Sequence, residues 1–126
     1  MLTTNYKFEL KGVVIHGKKR GKELGFPTAN FKIDNSTSPG IYLSFTEVLG
    51  KKYPSITFIG TVDTFNETDF IGESYILNFD QDIYGEEITV KVLKKLRDNQ
   101  KFKSVEKLVR QMHQDEEKAL KFFAAN

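Results

Sequence analysis

Apolar and polar residues alternate along most of the chain, and the period changes only near its end. Phe8 and Leu10, followed by Val13 and Ile15, mark an extended segment whose phase slips at Gly12, as at a bulge. Ile41, Leu43 and Phe45 alternate with Tyr42, Ser44 and Thr46, the period of a half-buried strand. Leu49-Gly50-Lys51-Lys52 then reads as a hairpin turn, and Ile56 and Phe58 share one face of a segment that Gly60 ends. Tyr75, Leu77 and Phe79 alternate, as do Ile88, Val90 and Val92, with turn chemistry between them in Asp80-Gln81-Asp82 and Tyr84-Gly85. The pattern predicts five or six antiparallel strands.

Toward the C-terminus the spacing becomes helical. Val105, Leu108, Val109, Met112, Ala119, Leu120 and Phe123 recur every three or four residues, an amphipathic helix of about five turns. Ser104 stands at the N-cap position, although Lys107 is not the Glu or Gln of a capping box. A set of short strands followed by one long helix argues for a closed barrel with the helix laid against it.

Composition narrows the class. A chain of 126 residues makes one domain spanning 1–126, and 13% aromatic residues supply an ample core. No run of 18 apolar residues is present, so no membrane contact is expected. The absence of cysteine excludes disulfides, thiolate metal sites and a Cys nucleophile. MLTTNYKFEL has no signal-peptide pattern, so a cytoplasmic protein is expected. A net charge of +2 is too balanced for a general nucleic-acid binder.

The chemistry concentrates between Gly12 and Asn30. Glycines at 12, 17, 21 and 25 punctuate Lys18, Lys19, Arg20 and Lys22, a composition that suits an anion-binding loop or a solvated one. It is not a Walker A loop: three residues separate Gly17 from Gly21, and Glu23 follows Lys22. Thr28 and Asn30, two apart, would point to one face of an extended segment. Their oxygens suit Mg²⁺, or they satisfy backbone groups in a turn. His16 and His113 have no neighbouring ligands at zinc spacing.

These residues carry a resemblance. Gly12–Asn30 with its LGFPTAN core, Pro39-Gly40-Ile41-Tyr42, Ile59-Gly60-Thr61, Glu73 before its apolar alternation, Phe79-Asp80-x-Asp82-x-Tyr84-Gly85 and Leu96–Phe102 together resemble the riboflavin kinase family. The blocks keep the family's order from about residue 6 to residue 120. The resemblance implies a mainly β fold, a six-stranded antiparallel Greek-key barrel with a long C-terminal helix packed against it. It implies transfer of the ATP γ-phosphate to the 5′-hydroxyl of riboflavin, giving FMN and ADP.

By the same resemblance, Gly17, Gly21 and Lys22 would lie over the ATP phosphates, with Ile76, Asn78 and Tyr84 on the adenine and ribose side. Thr28, also an ATP contact, would bind Mg²⁺ together with Asn30. Glu73 would accept the hydroxyl proton, and Arg97, Gln100 and Phe102 would lie against the flavin ring. The small-molecule partners would be riboflavin and ATP, the protein a monomer without nucleic-acid partners. Phe58, Val62, Asp63 and Tyr75 depart from the family's usual residues, so a domain that binds flavin or nucleotide for regulation is the alternative. Nothing in the chain resembles the FMN adenylyltransferase domain of bifunctional bacterial members, so FAD synthesis is not expected of it. A small barrel that binds single-stranded nucleic acid is a third reading, disfavoured by the charge balance.

Overall fold

The structure, a computed structural model, describes residues 6–15, 28–34, 36–64 and 67–125, the side chains of 62–64 and 67–69 excepted. Among the described residues, six strands and one helix follow in order: β1 (Phe8–Val13), β2 (Ala29–Lys32), β3 (Gly40–Val48), β4 (Lys51–Thr64), β5 (Glu67–Ile76), β6 (Glu87–Arg97) and α1 (Val105–Ala125). All strand pairs are antiparallel, in the spatial order β1-β6-β3-β4-β5-β2. β6 returns beside β3 after the β3-β4-β5 meander, which is a Greek key. Beyond β1 the chain bridges to β2, where the Ile15 amide donates to the Asn30 carbonyl at 2.8 Å, so the barrel is nearly closed.

The β3–β4 hairpin turns at Leu49-Gly50, with φ of 53° and 76°, the doubly positive geometry that matches strand twist. Lys51 and Lys52, expected in that turn, already belong to β4. Gly60 does not end β4, which runs through it to Thr64. Nor does one strand carry Tyr75, Leu77 and Phe79: β5 stops at Ile76, and Asn78 turns at φ 54°. The Asp82 carboxylate then accepts the Tyr84 amide at 3.0 Å, and Gly85 takes φ 83° before β6 begins.

The expected bulge at Gly12 is absent. β1 pairs with β6 in unbroken register from Phe8↔Val92 to Val13↔Glu87, so Gly12 faces inward and Val14, not Val13, is buried. Gly12 is needed for space: a Cβ there would lie 3.1 Å from Phe31. Phe31 itself is fully buried, and Gly72, its cross-strand partner, leaves room for the ring tip.

Inside the barrel Phe31 packs with Ile59, Ile76, Ile88, Val90 and Val92. Beside this apolar plug lies a chain of hydroxyls. Ser44 bonds Ser55 and Thr57 at 2.7 Å each; Thr46 bonds Ser55 at 2.8 Å and Ser74 at 2.6 Å. Each buried hydroxyl is therefore satisfied, which removes the desolvation cost of placing it there.

α1 covers part of the outer barrel face. The Ser104 hydroxyl accepts the Lys107 amide at 3.2 Å, an N-cap. Ala119 lies against Ile41, Leu43, Ile56 and Leu77, with Phe122 and Phe123 alongside. The apolar stripe read from spacing needs adjustment at both ends: Val105 and Leu120 are about half exposed, whereas Asp115 is buried.

Candidate active site

Strand register assembles a row of side chains on the outer face under α1. Asn30 pairs with Glu73, Glu73 with Phe58, Phe58 with Ile41, and Ile41 with Arg97, so five strands each contribute one residue. Directly paired residues project to the same side of a sheet, and the row is thus contiguous. Two register shifts in the β3–β6 pairing bring Arg97 opposite Ile41.

A cavity of about 690 Å³ lies over this row, walled by the segment 99–104 and the first turns of α1. That volume falls in the usual range for a small-molecule site. Its apolar wall is formed by Ile41, Ile56, Phe58, Phe102, Leu108 and Met112. The segment 98–104 is held down by Asn99, whose amide donates to the Ile59 carbonyl at 3.0 Å. Gly60 makes this possible, because a Cβ there would lie 2.8 Å from the Asn99 nitrogen.

Glu73 and Thr28 stand at one part of the cavity wall. Burial pushes the Glu73 carboxyl above the usual carboxylate value, while a hydrogen bond from the Thr28 hydroxyl opposes the shift. A carboxylate so placed is a better proton acceptor than a solvated one. Asn30, buried and opposite Glu73, adds a carboxamide to the same patch. Elsewhere on the wall Arg97 forms a two-pronged ion pair with Asp115, and its guanidinium carbon lies 5.9 Å from the centre of the Phe102 ring. Tyr75 donates its hydroxyl to Glu116 at 2.6 Å; burial and this bond push its pKa up to about 12.

A family model for riboflavin kinase, Flavokinase, matches residues 4–123. The chain belongs to the riboflavin kinase family. It is 40% identical over 119 residues to the trifunctional protein RibF/MnmA of Mycoplasmoides gallisepticum, covering 92% of this chain and 18% of that protein. It is 38% identical over 123 residues to the bifunctional riboflavin kinase/FMN adenylyltransferase of Listeria monocytogenes, covering 94% and 39%. The chain thus spans well under half the length of these relatives. Among solved structures it resembles the riboflavin kinase from Trypanosoma brucei with a TM-score of 0.68 and 26% identity, over 92% of this chain and 76% of that one.

Of the residues singled out by the resemblance to riboflavin kinases, Thr28, Glu73, Arg97, Gln100 and Phe102 line one cavity, with Asn30 in register beside Glu73. Ile76, Asn78 and Tyr84 do not line it: the Ile76 side chain packs inside the barrel, and Asn78 and Tyr84 are exposed in the β5–β6 connection. Gly17, Gly21 and Lys22 lie outside the described residues, as does His16. Phe58 and Tyr75, which depart from the family pattern, both face the cavity.

Sequence reasoning missed Asn99, Asp115 and Glu116. The last two had a signal: they fill the gap in the apolar stripe between Met112 and Ala119, and charges on a buried helix face call for partners. Their partners, Arg97 and Tyr75, lie on strands 18 and 41 residues away.

Proposed function

We propose that this chain phosphorylates riboflavin, moving the γ-phosphoryl group of ATP to the 5′-hydroxyl and releasing FMN and ADP. The observation that carries the reading is the joining of Glu73, raised in pKa and hydrogen-bonded to Thr28, to a cavity walled by Phe58, Phe102 and Arg97. One part suits proton abstraction, the other a flat aromatic ring.

In this reading the apolar wall and the Arg97–Phe102 pair hold the isoalloxazine, which directs the ribityl chain toward Glu73. Glu73 accepts the 5′-hydroxyl proton as that oxygen attacks the γ-phosphorus in line with the departing ADP oxygen. Thr28 orients the carboxylate through its hydroxyl. Gln100 contacts the flavin from the covering segment. The family resemblance assigns Gly17, Gly21 and Lys22 to the phosphates and the exposed Asn78 and Tyr84 to adenine and ribose, whereas Ile76, its side chain packed inside the barrel, is left out of the nucleotide site. Phosphoryl transfer is mostly positioning and charge neutralisation, so enclosure of the reacting groups is the main contribution of the fold.

The donor set fits Mg²⁺. The Thr28 hydroxyl and the Asn30 amide oxygen are hard ligands on one strand edge beside Glu73, and among the described residues no group of three or more His, Cys, Asp or Glu forms an all-protein cage. Magnesium commonly takes few protein ligands and completes its shell with phosphates and water. Thr28 and Asn30 would hold it. When bound, it would supply neutralisation of phosphate charge.

The test is incubation of the purified protein with riboflavin and Mg-ATP, followed by chromatographic separation of the flavins. FMN that forms with Mg-ATP and disappears with EDTA is the expected result. Flavin binding without FMN formation would overturn the kinase reading in favour of a flavin-binding regulatory domain, with Phe58 and Tyr75 the first residues to examine.

A further inference from the structure

Most of the Arg97 guanidinium is committed to protein. Its Nε donates to both Asp115 oxygens at 2.9 and 3.2 Å, Nη2 donates to Asp115 Oδ2 at 2.8 Å, and Nη1 donates to the Asp98 carbonyl at 3.1 Å. Gln111, one turn before Asp115 on α1, donates to Asp115 Oδ1 at 3.0 Å. Asp115 thus receives donors from two elements, and the guanidinium plane is fixed beside Phe102.

The pairing also sets the charge of the wall. Arg97, Lys101 and Lys103 line the cavity against Glu73 and Asp115. Lys101 and Lys103 are exposed, where water and salt screen them. The Arg97 side chain is only 20% exposed and that of Asp115 6%, so each is weakly screened and governs the local charge. A guanidinium in such a wall without a carboxylate would be a ready fork for phosphate.

We propose that Asp115 is a positioning and specificity residue: by engaging Arg97 it leaves a flat, charge-compensated surface that accepts an uncharged planar ring and turns phosphate groups away. Phosphate-bearing ligands are thereby kept to the Glu73 side of the cavity. The inference rests on the riboflavin-site reading above. It explains why a cavity with three cations in its wall can serve a neutral acceptor beside a polyanionic donor.

The experiment compares the intact protein with Asp115→Asn and with the double variant Arg97→Met/Asp115→Leu. Riboflavin binding is followed by its fluorescence, with and without inorganic tripolyphosphate, in the presence of saturating Mg-ADP. Steady-state kinetics are run in parallel. Asp115→Asn should raise the riboflavin KM about tenfold, a loss of about one hydrogen-bond-scale interaction, with the ATP KM unchanged and kcat within about threefold. Tripolyphosphate should compete with riboflavin in Asp115→Asn and not in the wild type or the double variant, which lacks both charges.

A folded Asp115→Asn variant with the wild-type riboflavin KM and no new competition overturns the inference. So does a uniform fall in activity matching the folded fraction, the mark of a purely structural role. If Asp115→Asn does not fold, Asp115→Glu decides, since it keeps Arg97 and the negative charge but cannot hold the guanidinium in the same two-pronged geometry. A raised riboflavin KM without competition supports the proposal, and a wild-type KM refutes it. Wild-type protein that neither binds riboflavin nor forms FMN would instead defeat the kinase reading, a result separable from the effect of position 115.

Discussion

Gly72→Ala should weaken both the barrel and the site, and the size of the effect follows from the geometry around Phe31. A Cβ at position 72 would lie 2.5 Å from Phe31 Cζ and 2.9 Å from both Cε atoms. Carbon pairs sit best at about 3.5–4.0 Å. The ring is fully buried and its other end lies close to Gly12, so it cannot retreat without moving β2. Three simultaneous clashes put the strain near the upper end of overpacking costs, about 3 kcal/mol.

Reduced freedom in the unfolded chain returns about 0.5–1 kcal/mol, leaving a net loss of about 2–2.5 kcal/mol. With an unfolding entropy of about 0.26 kcal/mol/K for a chain of this size, Tm should fall by about 8–10 °C. Near-UV circular dichroism of the tyrosines during a thermal scan measures it. Because Asn30 adjoins Phe31 and pairs with Glu73, the same variant should lose activity below its Tm. Phe31→Leu in the Gly72→Ala background should recover at least about 1 kcal/mol relative to the sum of the single changes. A Tm within about 2 °C of wild type, or additive single effects, would refute the account of Phe31 as the barrel plug.

Other consequences can be measured directly. Glu73→Gln should slow FMN formation by at least about a hundredfold with riboflavin affinity little changed, and a near wild-type rate would remove Glu73 from the chemistry. Because burial raises the Glu73 pKa in the folded state, its ionisation costs stability as pH rises through that value. In metal-free buffer Glu73→Gln should therefore be the more stable protein at neutral pH, the gap closing below the ordinary carboxylate pKa; a constant gap across the titration would contradict this. Thr28→Ala and Asn30→Ala should shift the Mg²⁺ dependence of the rate to higher concentration, and unchanged titration curves would contradict the ligand assignment. Thr28→Ala also removes the bond that lowers the Glu73 pKa, so the acid limb of kcat/KM should move upward. Asn99→Ala releases the segment 98–104 from Ile59 and should raise the riboflavin KM several-fold while leaving the ATP KM alone; equal changes in both would argue against a local role.

Much of the architecture was legible because its signals are local. Period-2 alternation locates β3 and β6, helical spacing and Ser104 locate α1, and Leu49-Gly50-Lys51-Lys52 marks the hairpin, although its turn is only Leu49-Gly50. The errors lie where one residue type has two physical uses. Along the sequence Gly12 and Gly60 read as interruptions, yet both lie within regular strands, and both make room for a side chain from elsewhere, Phe31 in one case and Asn99 in the other. A glycine that breaks a strand and one that admits a distant side chain look identical along the chain.

The site divides in the same way. Residue types and spacings alone singled out Thr28 and Asn30 on one strand face and the amphipathic helix, and the motif blocks pointed to Glu73, Arg97, Gln100 and Phe102. Only the tertiary structure put Asn30, Glu73, Phe58, Ile41 and Arg97 in one row, because alternation determines which side a residue faces but not which strand lies next to it. The same holds for Asp115 and Glu116. Their place on the helix stripe marks them as charges that need partners, but the identity of those partners depends on where α1 crosses the barrel, a packing outcome set by contacts far apart in the chain.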